Sequence, residues 1–123
     1  MRRKNYKLGE VCVITIGKTP SRKNPKFWDE EKESENVWVS ISDLSKLDNK
    51  LISDSEEYIS DEGAKLFKPV KKGTLLMSFK LSIGKLAYAG KDLFTNEAIA
   101  AFNIIDEQIL SKEFLFYYLS YFN

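Results

Sequence analysis

The chain has no histidine and a single cysteine, Cys12, among its 123 residues. Zinc sites of the Cys/His kind are therefore excluded. So are histidine-based triads and an intramolecular disulfide. Cys12 stands in an apolar, strand-like run, where a buried and unreactive thiol is expected. No apolar run approaches the ~20 residues that cross a bilayer. The basic start, Met1 to Lys7, is not followed by a signal-type apolar segment. A cytoplasmic location is the expectation.

Reaction chemistry is also scarce. Gly17-Lys18-Thr19 ends like a phosphate-binding loop, but Cys12 occupies the place of its first glycine. Gly84-Lys85 is followed by Leu86, and Phe79 stands where a glycine is needed. Asn24-Pro25-Lys26-Phe27 lacks the second proline of the Asn-Pro-Pro-aromatic motif of amino-methyltransferases, and no glycine-rich strand-turn-helix accompanies it. Asp48-Asn49-Lys50 lacks the Pro-Asp that precedes such a triplet in metal-dependent nucleases.

What is present is binding material. Apolar content of 43% and charged content of 30% suit one globular domain, or part of one. The net charge of +1 hides a segregation. Residues 1–28 carry eight basic groups and one acid, residues 29–62 three and twelve, and residues 63–123 eight and five. Blocks of one sign create fields that a net charge conceals. The acidic block reads as solvated surface, the basic segments equally as surface or as a face for a polyanion.

Val11 to Ile16, β-branched and apolar, is expected to be a buried strand, and Val37 to Ile41 a second. Between them, Pro20 and Pro25 impose a loop. Ser42 to Leu44 is expected to turn helical, and Leu47 to Tyr58 to be irregular with a short edge strand. Ser60 suits an N-cap for a helix to about Phe67, with Asp61 and Glu62 favouring its positive end. Turns at Lys72-Gly73 and Gly90 to Asp92 bracket strands at Thr74–Phe79 and Lys85–Ala89. Ala98–Ile104 is a further strand. Ser111 caps a helix from Lys112 to Phe122 with Phe114, Leu115, Tyr118, Leu119 and Phe122 on one face. The fold class is α+β: a mixed, strongly bent β-sheet with a few short helices.

Two patches stand out. The loop Lys18-Thr19-Pro20-Ser21-Arg22-Lys23-Asn24 gathers cations and hydrogen-bonding groups on a proline-stiffened backbone, which loses less entropy on binding. Arg22 suits bidentate contact with a guanine edge or a phosphate, and Asn24 an adenine edge. The second patch is Lys80, Ser82, Gly84 and Lys85: Gly84 permits close backbone approach, and the lysines can neutralise phosphates. Ordinary turn and rim residues would look the same. Thr95-Asn96-Glu97 reads as a structural turn. Trp28 and Trp38 read mainly as core, with Trp28, beside the basic loop, left open.

An ordered series of segments carries a resemblance over nearly the whole chain. It runs through Lys7-Leu8-Gly9-Glu10, Gly17 to Arg22, Trp38 to Leu44, Ile59 to Ala64, Lys72-Gly73-Thr74, Met77-Ser78-Phe79, Ser82 to Lys85, Thr95 to Ile99 and Phe114 to Leu119. In this order and spacing the chain resembles the target recognition domain of type I restriction-modification specificity subunits. The resemblance implies a non-catalytic module that reads one half of a split double-stranded DNA target. It implies methyltransferase subunits and a motor/endonuclease subunit as partners. S-adenosylmethionine, ATP and magnesium are expected only on those partners, and no cofactor on this chain. The family's subunits usually carry two such domains joined by long helices. Residues 1–123 are thus expected to be a single recognition domain, incomplete at the C-terminus, with the second domain and spacer helices absent. The alternative is a truncated protein-interaction module that binds methyltransferase subunits or another specificity fragment, with little DNA affinity.

Overall fold

The computed structural model describes residues 11–79, 84–108 and 110–121. The class is α+β, as expected. Among the described residues, eight strands form two sheets, each mixing parallel and antiparallel pairs.

The five-stranded sheet contains β1 (Cys12–Ile16), β3 (Leu51–Ile52), β5 (Leu75–Ser78), β6 (Leu86–Ala89) and β8 (Ile99–Ile104), in the order β1-β8-β5-β6-β3. Its neighbours are antiparallel except β3 and β6, which run parallel. The three-stranded sheet has the order β4-β2-β7, from β2 (Val37–Val39), β4 (Glu57–Tyr58) and β7 (Phe94–Thr95). Here β2 pairs antiparallel with β4 and parallel with β7.

β8 is covered on both faces. Ile99 and Ala101 join one apolar cluster with Val37, Val39, Leu44, Leu76 and Leu93. Ala100 and Phe102 join another, with Cys12, Leu75, Leu115 and Phe116. Side chains alternate between faces along a strand, so a doubly covered strand reads as a continuous apolar run. A third cluster packs Trp38, Ile59 and Phe94 between the three-stranded sheet and α2 (Asp61–Ala64).

Four expectations change. The helix capped by Ser60 ends at Ala64, with Lys65 as its C-cap, rather than running to about Phe67. β1 is an edge strand rather than a buried one. Only Cys12 of its residues is buried, and Val13, Ile14 and Ile16 are 52%, 46% and 53% exposed. β2 stops at Val39, because Ser40 and Asp43 form a reciprocal capping box that starts α1 (Ile41–Ser45). On α3 (Lys112–Tyr121) the inward face is Leu115, Phe116 and half-buried Leu119, with Phe116 stacked on Tyr88 at 5.3 Å. Phe114 and Tyr118 point outward, and Phe122 lies outside the described residues. Ser111 does cap this helix, accepting from the Phe114 N–H, and Ser60 caps α2, accepting from Gly63.

Among the described residues, no helix is long and apolar enough to cross a membrane.

Candidate functional site

The register of the large sheet gathers its loops. Ile16 pairs with Ala100, Ser78 with Ile99, and Met77 with Leu86. β1 and β5 therefore end, and β6 and β8 begin, at one end of the sheet. The loop after β1, the connection from β5 to β6 and the turn from β7 to β8 all leave from there. Backbone bonds lace them together. Gly17 donates to the Ile99 carbonyl, Lys18 to Thr95, Phe79 to Ala98, and Asn96 to Val39. Asn96 Oδ1 also accepts from the Ala98 N–H at 3.0 Å, the structural role expected of that turn.

The 18–24 loop is clamped along its length. It enters through Gly17, where an added Cβ would lie 2.0 Å from the Thr95 carbonyl oxygen, so only glycine fits. The Trp38 indole donates to the Lys18 carbonyl at 3.1 Å, and the Trp28 indole to the Ser21 carbonyl at 3.0 Å. The two rings meet edge to face, 5.1 Å apart. Thr19 donates to Glu97 at 2.5 Å, and Pro20 is buried. Asn24 caps a 3-10 turn at Pro25–Phe27, its Oδ1 accepting from the Lys26 N–H at 3.2 Å.

The side chains of this loop divide accordingly. Ser21 and Lys23 are exposed, and so is Lys18. Thr19 and the carbonyl end of Asn24 serve the loop's own shape. Arg22 forms a bidentate pair with Glu57, Nη1 to Oε2 at 2.6 Å and Nη2 to Oε1 at 3.1 Å. Its guanidinium lies over Trp28, 4.2 Å from the ring centroid. The hydrogen bond to Glu57, assisted by its charge, holds the Arg22 pKa even further above its high ordinary value.

Of the second patch, Lys80 and Ser82 lie outside the described residues. Gly84 donates to the Ser78 carbonyl at 2.7 Å, and a Cβ there would meet Ser78 Oγ at 2.2 Å. Ser78 Oγ accepts from the Lys85 N–H at 2.9 Å. The Lys85 ammonium donates to the Leu47 carbonyl at 2.7 Å, beyond the end of α1. The 18–24 loop and the described part of the second patch, Gly84 and Lys85, thus lie at the same end of the sheet.

The acidic block meets cations at its edges: Lys26 with Glu62, Lys46 with Glu56, and Lys91 with Glu35. Asp54 accepts from the Tyr58 hydroxyl at 2.6 Å. That bond holds Asp54 below the usual carboxylate range and pushes Tyr58 up to about 12. Cys12 is buried, and burial raises its pKa. Among the described residues, no group of three or more His, Cys, Asp or Glu is placed to hold a metal ion.

The model of the type I restriction modification DNA specificity domain family matches residues 3–123. The chain belongs to this family. It is 28% identical over 113 residues to the type I restriction enzyme MjaIX specificity subunit of Methanocaldococcus jannaschii, covering 90% of this chain and 25% of that protein. The fold matches the crystal structure of the HsdS subunit from Thermoanaerobacter tengcongensis, with a TM-score of 0.71, 24% identity, and coverage of 94% of this chain and 26% of that one. It matches equally, at 0.71 and 23% identity, a chain from work on complex assembly and conformational transition of the type I R-M system. This specificity domain therefore spans about a quarter of the length of these relatives.

Reasoning from sequence missed Glu57 and the clamping work of the two tryptophans in this specificity domain. Trp28 carried a signal, an aromatic beside a basic loop. Glu57 carried none, being one carboxylate among the twelve of its block.

Proposed function

We propose that this specificity domain recognises a short double-stranded DNA sequence for a type I restriction-modification complex, without catalysing a reaction itself. One observation carries the reading: the sheet register brings the 18–24 loop and the described flanks of the second segment, Phe79 and Gly84-Lys85, to one end of the sheet, the first as a loop already fixed in shape. A pre-shaped loop loses little entropy on binding. Lys18, Lys23 and the lysines of the second segment supply counterion-releasing contacts to phosphates. Ser21, Arg22 and the amide nitrogen of Asn24 supply hydrogen bonds to base edges. Methylation of adenine and cleavage belong to methyltransferase and motor/endonuclease subunits in the cytoplasm, which bring S-adenosylmethionine, ATP and magnesium.

The test is a titration of the chain against a pool of duplexes at several salt concentrations. The expected result is preference for one short sequence and an affinity that falls steeply with salt. Equal affinity for every duplex would count against the proposal. Lys80→Ala should weaken binding to all sequences alike, with a shallower salt slope.

A second reading draws on α3. Phe114, Tyr117, Tyr118 and Tyr121 are 62%, 66%, 52% and 85% exposed on that one helix. Exposed aromatics of this density suit a protein contact. Recovery of a methyltransferase subunit by the chain without DNA, abolished by Tyr117→Ser and Tyr121→Ser together, supports it. Unchanged recovery removes α3 from the contact.

A further inference from the structure

The chain has three arginines, and Arg22 is the one among the described residues, Arg2 and Arg3 lying outside them. Its guanidinium is fixed from two directions. Glu57 takes one N–H from each terminal nitrogen, at 2.6 Å and 3.1 Å. Trp28 supports its face, and the Trp38 ring centroid is 5.2 Å away. The two charged side chains nevertheless stay 56% and 44% exposed. With Pro25, Trp28 and Glu30 they line an open hollow of about 470 Å³.

A surface pair of this exposure adds little to stability, so a reason for it lies elsewhere. A guanidinium carries five N–H groups in one plane. End-on pairing with Glu57 uses two of them. The Nε–H and the second Nη2–H remain parallel, as a side-on fork. A fork of this kind matches O6 and N7 of guanine in the major groove. An unrestrained arginine must give up rotamer freedom to present it. Arg22 has given up that freedom in the unbound protein.

We propose that Glu57 is a positioning residue for base recognition, which locks Arg22 over Trp28 so that its remaining N–H fork reads a guanine edge. The proposal rests on the DNA-recognition reading above and names the pair that sets one base of the target. It carries a signature of opposite signs. The carboxylate repels DNA phosphates whatever the sequence, while it sharpens discrimination at one position. Its neutralisation therefore lowers preference without lowering general affinity.

The experiment is selection of bound duplexes from a randomised pool by the full chain, in the forms wild type, Glu57→Gln, Arg22→Ala and the double variant. Wild type should select guanine at one position. Glu57→Gln should lose that preference at the same position, by about 5- to 150-fold, with affinity for a non-target duplex equal or higher. In preference at that position, the double variant should match Arg22→Ala alone. Additive losses, a loss at a different position, or an unchanged preference in Glu57→Gln would each overturn the role of Glu57 while DNA recognition stands. A wild-type chain with no preference would overturn both. A readout without DNA guards against misfolding: guanidinium NMR signals of Arg22 should show slow rotation in wild type and averaging in Glu57→Gln. Slow rotation in both would also overturn the lock.

Discussion

The loop of residues 18–24 and the connection that resumes at Gly84 leave the same end of the five-stranded sheet, and they are held by different means. The first is gripped from a distance. Trp38 and Trp28, 20 and 7 residues away in sequence from the carbonyls they bond, donate to Lys18 and Ser21. The second is held mainly by its own hairpin, with one side-chain tie from farther along the chain. Gly84 and Lys85 fold back on Ser78 of the strand they follow, and the Lys85 ammonium ties to Leu47. A locally held turn depends on small side chains and space. A remotely gripped loop depends on the packing of the second sheet, and so on the whole core.

The largest test of that difference is Trp38→Ala. Trp38 is 2% exposed, and truncating such a residue should cost about 3–5 kcal/mol in chemical denaturation. If the chain keeps its midpoint, the remote grip is not what holds the first loop.

Next is a matched pair of glycine substitutions. Gly17→Ala drives a Cβ to 2.0 Å from a backbone oxygen, which cannot rotate away, and should cost about 3 kcal/mol. Gly84→Ala meets the Ser78 hydroxyl first, at 2.2 Å, and that group can turn. Its cost should be nearer 1 kcal/mol, about the worth of the Ser78–Lys85 bond. Equal losses would erase the distinction.

Trp28→Phe removes one indole donor and keeps an aromatic ring. The expected loss is about 1 kcal/mol, with faster amide exchange at residues 18–24 and none at Gly84 and Lys85.

The smallest effect is in pH. Tyr58 is raised to about 12 from its ordinary 10.0 chiefly by its bond to Asp54. The folded chain holds this proton where the unfolded chain releases it. Stability from this group is complete below pH 10 and is lost as pH rises towards about 12. Asp54 is lowered, so its contribution is present above its ordinary value of 3.8 and is lost on further acidification. A melting-temperature profile should fall at both ends, and Tyr58→Phe should flatten both falls. Tyr58 neighbours Glu57 on β4, so the alkaline fall should also free Arg22.

Much of this was legible in the sequence where the signal was local. Ser60 and Ser111 cap as expected, because a hydroxyl before an apolar run satisfies nearby N–H groups. Leu75–Ser78, Leu86–Ala89 and Ile99–Ile104 lie within expected strands. Illegible were features made by distant pairing. β7 is two residues long and exists because β2 lies parallel beside it. β1 looks buried by composition, and only the sheet order shows that it has one neighbour among the described strands. The Ser40–Asp43 capping box was readable as Ser-x-x-Asp, but Ile41 disguised it as more strand. At the candidate site, the basic loop was readable and its grip was not, since indole-to-carbonyl bonds leave no mark in either segment.

Those bonds have one more consequence. The tryptophans hold Lys18 and Ser21 by carbonyl oxygens, which every amino acid possesses. Nothing in the grip inspects the side chains at 18, 21 or 23. The clamp therefore behaves as a fixture for an exchangeable part: new residues at those three places would inherit the same shape, and a different preference could be installed without renegotiating the fold.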